Sequence, residues 1–280
     1  WARACQDVRE ADMTRFIAEL GANHNGSLDR AINLVAAAKS CGFDAVKVQV
    51  FDRTRMFKDR VCEMLPCQLD WLPILEVKAH ELGMEFGATV CNVELVDDTA
   101  AHCDFLKVGS YELLCHDLIL ECASTGLPLI LSTGMASTQE IIDSQFVHNN
   151  TLTLLHCVSL YPCPVNLANL QRLDHIRKYR KWNSIAIGYS DHTCDWRVVW
   201  RAVAHYKASP IELHFDLDGF GQEAKHSWGE HTWWDGPMGH AKDIISLCKA
   251  EGDGSDCPSN EEQQERKHRR DPVTGLRGSA

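Results

Sequence analysis

Residues 16–51 read FIAELGANHNGSLDRAINLVAAAKSCGFDAVKVQVF, and their order of elements decides the fold. FIAELGA is a short β-rich apolar run. SLDRAINLVAAAKSCG then places apolar side chains at helical spacing, opens on Ser27 as an N-cap and stops at Gly42. AVKVQVF, at 45–51, is a second β run. Strand, helix and strand in this succession form a βαβ unit, in which the helix carries the chain back so that the two strands lie parallel.

Outward from this unit the alternation continues to about residue 250. Six more β runs follow: MEFGAT at 84–89, FLKVGS at 105–110, PLILSTG at 128–134, LTLLHC at 152–157, SIAIGYS at 184–190 and PIELHF at 210–215. LDWLPILEVKAHELG, DLILECASTG and DWRVVWRAVAHYK read as helices, with Pro73 expected to distort the opening turn of the first. Eight strands with intervening helices predict an α/β protein, a (β/α)8 TIM barrel over residues 16–250. An open doubly wound sheet is the alternative, and it needs a reversal of strand order. Residues 1–15 are expected to be an N-terminal extension. Residues 251–280 lose apolar periodicity and are expected to be a polar tail or arm.

Composition narrows the function. With 45% hydrophobic and 24% charged residues the chain can build a sizeable core. Its formal net charge of -11 disfavours nucleic acid, which requires basic residues gathered on one face. A small anion remains possible, because a few lysines in a cleft set the local field. The 13 cysteines are scattered and never form Cys-x-x-Cys, so they read as buried reduced thiols rather than a zinc or redox motif. No stretch reaches the roughly 18 apolar residues of a membrane span, and no signal-peptide core opens the chain, so no membrane is expected and the cytoplasm is the expected compartment.

In a barrel the C-terminal strand ends face the active site. There the sequence places Glu19 and Asn23, Lys47 and Gln49, Thr89, Lys107 and Ser110, Ser132 and Thr133, Ser159 and Tyr161, Ser190, Asp191 and His192, and Glu212 and His214. Lys47 and Lys107 stand inside apolar strands, where an unpaired ammonium is costly. Each therefore either faces a polar cavity or pairs with a core carboxylate such as Glu19. With hydroxyls from Thr89, Ser110, Ser132 and Ser190 they can hold a phosphate and a carboxylate together. His192 and His214 end adjacent strands, so they are either two hydrogen-bonded core residues or two ligands of a labile divalent metal.

These segments, in this order, resemble the N-acetylneuraminate (sialic acid) synthase family: the stretch 16–51, FLKVGS, PLILSTGMASTQEI, LTLLHCVSLYPCP, IGYSDHT and IELHF. The resemblance implies a (β/α)8 transferase that joins phosphoenolpyruvate to an N-acetylmannosamine-like hexosamine in its aldehyde form, releases phosphate by C–O cleavage, and uses Mn2+ or Mg2+. It implies Lys47, Thr89, Lys107, Ser110, Ser132 and Ser190 for phosphoenolpyruvate, and His192 and His214 for the metal. It further implies Gln49, Ser159 and Tyr161 for the acceptor, Glu19, Lys47 and Glu212 as catalytic groups, and a homodimer.

The chain departs from the family pattern in three places. It reads as a short form without the C-terminal antifreeze-like domain, which in the family gives an arginine to the partner's acceptor site. The proline-glycine-proline-aspartate-histidine pattern after strand eight is replaced by DGFGQEAKHSWGEHTWW, and Ser159 stands where asparagine is frequent. Arg277 in the tail either substitutes for the missing arginine in a neighbouring subunit or belongs to a solvated arm. Two other functions compete: a synthase for a phosphorylated aldose, with Arg53, Arg55 and Lys58 at the mouth, and a catalytically silent barrel acting as a binding scaffold.

Overall fold

The computed structural model describes residues 14–147, 151–225, 233–234 and 240–250. Eight strands, β1 (Phe16–Gly21), β2 (Ala45–Val50), β3 (Glu85–Val90), β4 (Phe105–Val108), β5 (Leu129–Ser132), β6 (Leu152–His156), β7 (Ala186–Asp191) and β8 (Ile211–Asp216), follow one another around a ring. Every neighbour is parallel, and β1 pairs with β8 through Phe16↔Ile211 and Glu19↔His214. That last pairing closes the barrel and rules out the open sheet. A two-residue strand, β9 (Trp233–Trp234), adds to the outside of β8.

The outer layer comprises α1 (Leu28–Cys41), α2 (Leu72–Glu81), α3 (Val96–Ala100), α4 (His116–Ser124), α5 (Thr138–Ser144), α6 (Arg172–Tyr179), α7 (Trp196–Ala204), a short α8 (Gln222–Lys225) and α9 (His240–Lys249). The limits of α1 are chemical. Ser27 accepts the Arg30 N–H at 3.2 Å, and Gly42 ends the helix in the left-handed region at φ 93°, a conformation glycine adopts without a Cβ clash. Pro73 follows a 3-10 turn at Leu69–Trp71, the irregular opening expected of α2. It lies in the first turn, where its missing N–H has no intrahelical acceptor to lose.

Alternation along the strands separates two layers in the lumen. Ile17, Ala45, Phe105, Ile130 and Leu155 form an apolar plug. Gly87 and Gly188 lie at the same level because Phe105 and Leu155 occupy the space beside them: a methyl on either glycine would come within 2.6 Å of those side chains. Two residues further along each strand, the inward positions are Glu19, Lys47, Thr89, Lys107, Ser132, Cys157, Ser190 and His214 or Glu212, and they line one cavity. The plug is thus dry, and the layer above it, the floor of the cavity, is polar.

Residues Thr14–Ala250 form one compact unit. Residues 1–13 of the expected 1–15 extension and the tail 251–280, with Arg277, lie outside the described residues. No helix among the described residues is long and apolar enough to cross a membrane. Most of the described cysteines are buried, but Cys115 is exposed and Cys91 and Cys194 are half-buried, so the expectation of buried thiols is corrected at these three.

Candidate active site

A cavity of about 330 Å3 opens at the C-terminal ends of the strands. Its floor is a charge network. Lys47 on β2 pairs with Glu19 on β1, donates to Thr89 Oγ1 at 2.8 Å, and lies 3.6 Å from Glu212 Oε2. Lys107 on β4 donates to Glu212 Oε1 at 2.5 Å, and Ser190 Oγ donates to the same oxygen at 2.9 Å. Glu19 also accepts the Gly21 N–H at 2.7 Å. Both sequence alternatives for the lysines therefore hold together: each pairs with a carboxylate and each faces the cavity.

Burial and charge set the protonation of this floor. Loss of water pushes Lys47 down to about 7; Glu212 opposes the shift and Lys107 adds to it. For Glu212 burial favours the neutral acid, but Lys107 and Lys47 more than offset it and hold the carboxyl well below its usual range. Ser132 Oγ lines the cavity, is buried, and has no hydrogen-bond partner among the described residues. An unmet buried hydroxyl beside two ammonium groups suits an oxyanion.

One wall carries the two imidazoles, with ring centroids 5.4 Å apart. His192 Nδ1 lies 2.7 Å from the Val158 carbonyl, which can only accept, so this nitrogen bears the proton. His214 Nδ1 lies 2.9 Å from Glu223 Oε2. Burial pushes both imidazoles down to about 3, with each other's charge or that of the lysines contributing, so both are neutral at pH 7. Two neutral imidazoles with oriented Nδ1 atoms fit a divalent cation that takes its remaining ligands from substrate or water. No group of three metal-ligating side chains stands together among the described residues.

Of the residues expected at the site, Glu19, Lys47, Gln49, Thr89, Lys107, Ser110, Ser132, Tyr161, Ser190, His192, Glu212 and His214 line the one cavity. Tyr161 stacks against His192 with centroids 4.2 Å apart. Ser159 does not line the cavity. After β6 the chain turns so that Val158 O meets His192, and Ser159 Oγ is buried against Gly134, where a Cβ would stand only 2.3 Å away. The basic cluster proposed for a phosphorylated acceptor is also displaced from the cavity lining. Arg53 donates to the Cys62 carbonyl at 2.7 Å, Arg55 pairs with Glu94 at 2.7 Å, and Arg60, stacked over Phe57, is the arginine that reaches the lining.

Sequence reasoning missed Glu112 and Glu223, both of which line the cavity. Glu112 sits on the turn after β4, and burial raises its carboxyl above the usual range. Glu223 sits on α8, in the segment where the family pattern is lost. The signal available for it was chemical: a histidine expected to bind metal needs an acceptor behind its other nitrogen.

Fold and cavity together define a (β/α)8 protein whose strand ends combine buried lysines, carboxylates and two neutral imidazoles in one cavity. Residues 34–234 match the NeuB family, and the chain belongs to it. It is 35% identical over 240 residues to an N,N'-diacetyllegionaminic acid synthase of Legionella pneumophila, covering 75% of this chain and 66% of that one. An uncharacterised protein of Methanocaldococcus jannaschii is 35% identical over 222 residues, covering 75% of this chain and 64% of its own length. The chain thus spans somewhat less than two thirds of these relatives. Among solved structures, a sialic acid synthetase of Leptospira borgpetersenii in complex with citrate superposes with a TM-score of 0.77 at 25% identity, covering 94% of this chain and 93% of that one.

Proposed function

We propose that this barrel condenses phosphoenolpyruvate with the open-chain aldehyde of an N-acetylmannosamine-like hexosamine, giving phosphate and a sialic-acid-like 2-keto sugar acid, with Mn2+ or Mg2+ as cofactor. The observation that carries the proposal is the convergence, in one cavity, of Lys47 and Lys107 with Glu212 and the His192–His214 pair. The names of the relatives, a diacetyllegionaminic acid synthase and a sialic acid synthetase, support the product class.

In this reading Lys47, Lys107, Thr89, Ser110, Ser132 and Ser190 receive the phosphate and carboxylate of phosphoenolpyruvate. A divalent cation held by His192 and His214 would polarise the aldehyde oxygen. The methylene carbon of phosphoenolpyruvate bonds to the aldehyde carbon, and positive charge develops at the carbon bearing the phosphate. Glu212, held ionised by its lysines, stabilises that charge. Water adds to this carbon, one of its protons passes through Glu19 or Glu212 to the former aldehyde oxygen, and the C–O bond to phosphate breaks with the electron pair leaving on phosphate, which takes the second proton as the keto group forms. Gln49 and Tyr161, both in the cavity lining, would contact the sugar.

Exposed Tyr111, Leu114, Met135 and Phe220 on the loops after β4, β5 and β8 favour a homodimer that covers this end. The test is phosphate release from phosphoenolpyruvate with Mn2+ across N-acetylated and phosphorylated aldoses, with His214→Ala as control. Release that depends on an N-acetylated aldose and disappears in the control is expected. Tight phosphoenolpyruvate binding without release for any aldehyde would refute catalysis and favour the silent binding barrel.

A further inference from the structure

The loop after β8 carries a buried carboxylate that the sequence pattern did not assign. Glu223 is 2% exposed, and its contacts come from two separate parts of the ring. Its Oε1 accepts the Ala22 N–H at 3.1 Å, and its Oε2 accepts the Asn23 Nδ2 amide at 3.3 Å. Its own N–H donates to Asn23 Oδ1 at 3.0 Å, while Asn23 Nδ2 also reaches the Phe215 carbonyl at 3.0 Å. With both oxygens already accepting, the contact with His214 Nδ1 at 2.9 Å makes that nitrogen the donor. Nε2 is then the lone-pair nitrogen of His214.

Gly21 makes this approach possible. Its backbone has φ +48°, and a Cβ there would lie 1.8 Å from Glu223 Oε1. The turn after β1 is therefore shaped around the carboxylate on one side while Gly21 N–H holds Glu19 on the other. His192 is oriented differently, by the backbone carbonyl of Val158. A carboxylate raises the basicity of the imidazole it orients more than a carbonyl does, so the two nitrogen donors are not equivalent.

We propose that Glu223 is the positioning residue that fixes the tautomer and orientation of His214 and thereby sets the affinity of the site for a divalent cation. The inference rests on the metal-dependent reading above. Glu223 acts through His214, and it replaces no substrate-binding group.

The test uses the full chain, Glu223→Gln and Glu223→Asp. Glutamine has one oxygen and one amide nitrogen, so it cannot accept from Ala22 and His214 at once. Aspartate keeps the charge but is one methylene short. Mn2+ binding is followed by electron paramagnetic resonance in the absence of sugar, and the His214 tautomer by 15N NMR of histidine-labelled, metal-free protein. Expected are a single Nδ1–H tautomer in the wild type, a changed His214 signal in Glu223→Gln, and Mn2+ binding about 10- to 100-fold weaker in that variant. Glu223→Asp should fall between the two, with phosphoenolpyruvate affinity and melting temperature reporting that both variants remain folded. A wild type that binds Mn2+ and a Glu223→Gln variant that binds it equally, with its tautomer unchanged, overturn the inference alone. A wild type that binds no divalent cation overturns the metal reading and this inference with it.

Discussion

Phosphoenolpyruvate binding should weaken steeply as pH rises above 7, because the cavity's central ammonium titrates there. Burial lowers Lys47 to about 7, with Glu212 opposing and Lys107 reinforcing the shift. If only protonated Lys47 accepts the phosphate or carboxylate, the apparent dissociation constant scales as one plus ten to the power (pH minus pKa). Between pH 7 and 9 that is a weakening of about 50-fold, or roughly 2.3 kcal/mol. The substrate's phosphate ionises near pH 6 and is fully charged across this window. Stability of the empty protein runs the other way. The folded pKa of Lys47 lies below its unfolded value, so its contribution is present above the unfolded pKa and is lost as pH falls through about 7. Calorimetric titration at half-unit steps from pH 7 to 9 measures the slope, with Lys47→Met as the control that should be weak and flat. Constant affinity over that range, or an equal slope in Lys47→Met, would refute the assignment.

Glu212→Gln should separate binding from turnover. It removes the carboxylate that holds Lys107, so phosphoenolpyruvate should bind no more weakly at pH 6, while steady-state phosphate release falls by about 10²- to 10⁴-fold. Gly21→Ala should lower the melting temperature and weaken Mn2+ binding together, because its methyl displaces Glu223 and its φ is left-handed; a loss of about 1–3 kcal/mol in denaturant titration is expected. Arg30→Ala should cost about 1–3 kcal/mol in the same titration, since half-buried Arg30 joins Asn23 O, Asp218 and the buried Asp216, which would keep only the Gly221 N–H and entering water.

Strands and floor chemistry were legible because both follow a short period. Lys47 stands two residues beyond Ala45, Lys107 two beyond Phe105, and Ser132 two beyond Ile130, so the alternation that identifies each strand also places its polar residue above the plug. All eight β runs fall within a residue or two of observed strands. Loops carry no such period. Arg53 and Arg60 lie in one basic stretch, yet hydrogen bonding to Cys62 O holds one within the loop and stacking on Phe57 leaves the other at the cavity. Ser159 likewise lies beyond the end of β6, where strand alternation no longer governs direction.

The charge of the whole chain and that of its cavity answer different questions. A net charge of -11 repels anions at long range, but within the cavity each lysine stands beside a carboxylate, Lys47 with Glu19 and Lys107 with Glu212. On the proposed function, an arriving phosphate and carboxylate would meet ammonium groups that are already partnered, and would compete with Glu19 and Glu212 for them. That competition weakens the hold on any single anion. It favours a ligand carrying two anionic groups at a spacing that engages both lysines, and it leaves the two displaced carboxylates beside the bound donor, where positive charge would develop. The same pairings that make two buried lysines tolerable in an empty barrel thus restrict what can fill it.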